Sequence, residues 1–155
     1  MDTDDIIECI KEDSKQRQTV IAYFYDDTSL KNNITRVVEN ILGNRNQFDY
    51  IFQLTITQFL KNVISTPNYD FSSDTKSHLQ NLSRYISLAL MRKQNKDVKN
   101  LREEFELIKD NINIDLDLLF ESNGSIGQIE KSLFEEVADV KDNHHKTSGF
   151  WSKIF

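Results

Sequence analysis

The sequence predicts an α+β fold: an antiparallel sheet with flanking helices, followed by one long helix. Three patterns in its 155 residues carry that expectation. From Phe48 to Thr57, Phe48, Tyr50, Phe52, Leu54 and Ile56 alternate with Asp49, Ile51, Gln53, Thr55 and Thr57, the period of a strand with one buried face. From Ile34 onward, Ile34, Val37, Val38, Ile41 and Leu42 share one helical face. From Asn100 to Val140, large apolar residues recur at steps of three and four.

In chain order, Ile6, Ile7, Cys9 and Ile10 are short, mostly β-branched and bounded by acidic residues, which reads as a strand. Lys11 to Gln18 turns the chain, and Thr19 to Tyr25 reads as a second strand pairing as a hairpin. Asp26 to Lys31 is a loop, after which Asn32 or Asn33 caps the amphipathic helix and Gly43 ends it. The alternating strand follows, then an adjoining one through Phe59, Leu60, Val63 and Ile64, stopped by Pro67 and Asn68. Ser72, Ser73 or Asp74 caps a second helix carrying Leu79, Leu82, Tyr85, Ile86 and Leu90. The order β-β-α-β-β-α fills a domain over residues 1–92, and the basic, polar stretch 93–99 is a linker or a continuation of the helix.

Residues 100–148 form the seam: Leu101, Phe105, Ile108, Ile112, Leu116, Leu119, Ile126, Ile129, Leu133, Val137 and Val140, with charged residues between. A spacing averaging about 3.5 residues marks a helix that packs along its length on partner helices. Ser122, Asn123, Gly124 and Ser125 interrupt it. Either Asn123-Gly124 turns the chain into a hairpin, or the polar residues form a layer that fixes register in a bundle. In the tail, residues 149–155, the rings of Phe150, Trp151 and Phe155 suit a membrane interface or a docking role.

The formal net charge of −6 argues against nucleic acid, since phosphate binding needs clustered Lys and Arg. The single cysteine, Cys9, suits a reducing cytosolic setting, and the acidic start is unlike a signal peptide. No window approaches the roughly 20 apolar residues that span a bilayer. The chain carries no Gly-rich phosphate loop, no cysteine pair at metal spacing and no Ser-His-Asp context, so no enzyme, metal or cofactor is expected. Adjacent His144 and His145 project about 100° apart on a helix and lack further ligands, and His78 reads as a surface or edge residue.

With these residues in view, the chain resembles the longin-type R-SNAREs, the synaptobrevin-like fusion proteins. Asp49 to Leu54, the stretch through Val63-Ile64, and Tyr69-Asp70-Phe71 leading to the helix with His78-Leu79 and Leu82 to Tyr85 look like the second half of a longin domain. Ile34 to Leu42 falls at that domain's first helix. Leu119 to Ile126 sits where the family has its central leucine-glutamate-arginine-glycine segment, and Phe150 to Lys153 resembles the sequence before a synaptobrevin anchor. The family has arginine in its central layer; here the count puts Ser122 there, or Asn123 one position on. The resemblance implies a profilin-like sheet domain regulating a SNARE-like segment at the cytosolic face of endomembranes. That segment would join Q-type SNARE helices in a four-helix bundle for membrane fusion in vesicle transport. The rival expectation is a non-fusogenic longin-type adaptor or tethering-complex subunit.

Overall fold

The segment from Phe48 to Ser65, expected as two strands, is one helix, and the other described helices pack around it. The computed structural model describes residues 1–71, 73–94 and 131–143. Among these, 84% are helical, in six helices with no strand or sheet, so the α+β longin-like (profilin-like) expectation is overturned.

The physical reason lies in how the central helix is buried. Ile51, Phe52, Leu54, Ile56, Phe59, Leu60 and Val63 are all at most 1% exposed, and every residue from Ile51 to Leu60 is buried, so no face of that stretch is left for water. A helix buried on every side shows no amphipathic period, and a continuous apolar run is then indistinguishable from strand alternation. The threonines that favour a strand are accommodated because their hydroxyls donate to carbonyls one turn back, Thr55 to Ile51 at 2.7 Å and Thr57 to Gln53 at 2.8 Å.

The expected N-terminal hairpin is also two helices, α1 (Thr3–Glu12) and α2 (Ser14–Asp26). Asp2 accepts from the Asp5 N–H at 2.8 Å and Asp13 from the Gln16 N–H at 2.8 Å, each satisfying a free donor of a first turn. Ile6 and Ile10 are one turn apart and both buried, and Val20, Ile21, Phe24 and Tyr25 form the buried stripe of α2. These β-branched runs follow a helical period, and packing overrides their strand propensity.

The third helix, α3 (Thr28–Leu42), is the expected amphipathic one, begun earlier because Asp27 rather than Asn32 or Asn33 is its cap. It ends at Gly43, whose φ of 80° is the left-handed conformation of a helix stop. The central helix is α4 (Phe48–Ser65), and Asn68, at φ 54°, turns the chain beyond it. The second expected helix is α5 (Thr75–Gln94), with Asp74 accepting from the Ser77 N–H at 2.8 Å. It buries Leu79, Leu82, Ile86 and Leu90 against α3 and α4. Residues 131–143 are α6. Around α4 the remaining helices form one core, with α2 reaching it through Phe24 on Phe59 at 6.0 Å and Tyr25 on Phe52 at 4.8 Å.

Candidate functional site

The end of the heptad seam lies in a groove between α2 and α4. Leu133 is 4% exposed, Val137 fully buried, and Phe134 and Val140 pack half-buried on the same core. Their spacing of three and four puts them on one face of α6, the periodicity that marked them for partner helices. The partner here is the chain's own bundle. Of the other seam positions, Leu101, Phe105, Ile108, Ile112, Leu116, Leu119, Ser122, Ile126 and Ile129 lie outside the described residues, as do Phe150, Trp151, Phe155, His144 and His145.

Polar contacts orient the docked helix. The Arg17 Nε–H donates to both Glu136 carboxylate oxygens, at 3.2 and 3.1 Å, and its Nη1 donates to the Ile10 carbonyl at 3.3 Å. One guanidinium thus joins the C-terminal end of α1 to α2 and α6. Ser14 Oγ donates to Glu136 at 3.1 Å. On the opposite wall Gln53 Nε2 donates to the Phe134 carbonyl at 3.1 Å, and Tyr50 meets the Phe134 ring edge-on at 6.4 Å. At the far end Tyr25 is 8% exposed, and its hydroxyl has no hydrogen-bond partner among the described residues. Burial, with the carboxylates of Asp49 and Asp142 nearby, pushes its pKa up. Arg17 beside Glu136 and Tyr25 near Asp142 set α6 parallel to α2, and Gln53 beside Phe134 with Asp49 near that same far end sets it antiparallel to α4.

A second constellation is buried between α4 and α5. Gln58 Nε2 donates to Asn62 Oδ1 at 2.9 Å, Asn62 Nδ2 donates to Tyr69 Oη at 3.3 Å, and Tyr69 Oη is hydrogen-bonded to His78 Nε2. The Tyr69 hydroxyl and His78 Nε2 share one hydrogen bond, and burial of the imidazole favours its neutral form. His78 is 3% exposed and stacked on Phe71 at 4.1 Å, which corrects its reading as a surface or edge residue. Burial lowers its pKa to about 4. Enclosed on all sides, this network organises the core and is closed to substrate.

A crevice of about 370 Å³ is lined by Asp2, Thr3, Tyr23, Asp27, Asp74 and Lys76 among others, where the first turns of α1, α3 and α5 converge. Asp2, Asp27 and Asp74 each cap a helix there, and Lys76 Nζ pairs with Asp27 at 2.9 Å. The three carboxylates are satisfied by the first-turn N–H groups of their own helices and, for Asp27, by Lys76. No cluster of metal-ligating side chains occurs among the described residues, and no described helix is long and apolar enough to cross a membrane.

Compared with protein families, characterised proteins and solved structures, the chain matches none. The groove therefore stands as the candidate site on its own geometry. Its receiving wall was missed in the sequence because Arg17 fell in a supposed turn and Tyr50 and Gln53 in a supposed strand. Read helically, Arg17, Ile21 and Tyr25 are four residues apart, and Tyr50 and Gln53 three apart, so each set lines one face. Phe134, one position off the heptad register, was missed too.

Proposed function

We propose that this protein acts by helix–helix assembly rather than catalysis: the seam from Leu101 to Val140 joins partner helices, and the N-terminal helical bundle regulates it by holding the seam's end. The observation that carries this reading is the burial of Leu133 and Val137, two residues of the partner-seeking pattern, in a groove that pairs their neighbour Glu136 with Arg17. Apolar area of this kind contributes roughly 25 cal/mol per Å² to whichever helix covers it, own or foreign. Q-type SNARE helices are the partners that the seam's resemblance suggests, with vesicle fusion as the outcome and Phe150, Trp151 and Phe155 as a membrane-proximal contact.

The full chain mixed with a panel of Q-type SNARE motifs tests this. A heat- and detergent-resistant complex with one set supports the fusion reading, and absence of binding to every helical partner overturns it. A second reading, a non-fusogenic adaptor or tethering-complex subunit, is favoured by the depth at which α6 packs back on the core. It calls for partner binding with residues 131–143 still protected from hydrogen exchange.

A further inference from the structure

We propose that the α2–α4 groove is an exchangeable helix-acceptor site whose other occupant is an acidic amphipathic helix of a partner protein. That helix would carry apolar residues at the spacing of Leu133, Val137 and Val140 and a carboxylate at the position of Glu136. The inference rests on the assembly reading above and goes further in assigning a second binding site, distinct from the seam, and the chemistry of what enters it.

Three observations carry it. First, the groove selects charge: Arg17 is fixed by the Ile10 carbonyl and presents Nε–H to a carboxylate between two buried apolar residues. An acidic helix is accepted there and a basic one repelled. Second, the resident helix leaves the Tyr25 hydroxyl, more than nine-tenths buried, without a hydrogen-bond partner among the described residues. A buried unpaired donor is costly, and a helix with an acceptor two turns beyond the carboxylate recovers that cost. Third, the resident lies far along the chain from the groove walls: Leu133 to Val140 follow Arg17 and Gln53 by 80 residues or more, so the groove is filled by a distant segment and not by a neighbour in sequence. A partner helix displaces such an occupant when its affinity for the groove exceeds the resident's effective concentration there.

The probe is a labelled peptide of residues 131–143 added to the full chain, with binding read by fluorescence anisotropy. Weakening the resident helix by Val137→Asp is expected to raise affinity for the peptide at least tenfold over the wild type. In that background Arg17→Glu lowers it at least tenfold, and a peptide bearing Glu136→Arg restores it. If Val137→Asp does not fold by circular dichroism, Glu136→Arg, at a partly exposed position, opposes Arg17 and empties the groove instead. Equal peptide affinity for the wild type and the emptied variant overturns the proposal, as does concentration-dependent dimerisation of the wild type, which makes a second copy the occupant. Binding of Q-type helices to the wild-type chain, with no peptide binding to the emptied variant, refutes the groove site alone and leaves the assembly reading intact.

Discussion

Arg17 on α2 and Glu136 on α6 meet at 3.1 Å across 119 residues of chain, with 19% and 13% of their side chains exposed. A single charge pair therefore ties the end of the seam to the start of the molecule, in a setting shielded enough for its geometry to matter.

A double-mutant cycle of Arg17→Ala and Glu136→Ala, read by urea denaturation, is expected to show a coupling of about 1–2 kcal/mol, since the guanidinium Nε–H makes a charge-assisted bond shared between both carboxylate oxygens. Additive single effects would mean that the pair contributes nothing to docking.

Leu133→Ala removes a side chain that is 4% exposed and is expected to cost about 2–4 kcal/mol of docking free energy. Hydrogen exchange locates the loss. Amides of residues 131–143 lose protection while those of Ile51 to Leu60 on α4 retain theirs, because the central helix keeps its contacts with α1, α3 and α5.

The buried imidazole predicts a stability profile in acid. His78 titrates near 4 in the folded chain against 6.5 for the free side chain, so between these values the unfolded chain binds the extra proton. Its contribution is whole above pH 6.5, falls as the pH drops toward 4, and levels off below. The loss attributable to this group is on the order of 3 kcal/mol. Urea midpoints at pH 7.5 and 4.5 are expected to differ less in His78→Gln than in the wild type, and the imidazole shift followed by NMR gives the folded pKa directly.

Gly43→Ala tests the helix stop. A Cβ there meets no atom within 4 Å, so the substitution has room, but φ is +80°. The cost is backbone strain alone, about 1–2 kcal/mol, read as a lower melting temperature with unchanged helix content.

How much of the fold was legible depends on how each helix meets water. α3 and α5 have one wet and one dry face, so Ile34 with Val38, and Leu79 with Leu82, Ile86 and Leu90, announce themselves by period, and Gly43 and Asp74 punctuate them. α4 has no wet face between Ile51 and Leu60, and α1 and α2 are short with β-branched stripes, so the same letters suit a strand until something is packed around them. His78 looked exposed because its partners, Tyr69, Asn62 and Phe71, come from other turns of the chain.

From sequence alone came the stop at Gly43, the helical stripes of α3 and α5, and the apolar face of Leu133, Val137 and Val140, because these follow from residue type and local periodicity. Tertiary packing decided that Phe48–Ser65 is a central helix, that α1 and α2 are helices rather than a hairpin, and that the seam's end lies against Arg17 and Gln53. Each of these depends on which surfaces are removed from water together. That is a property of distant segments meeting, and local spacing carries no record of it.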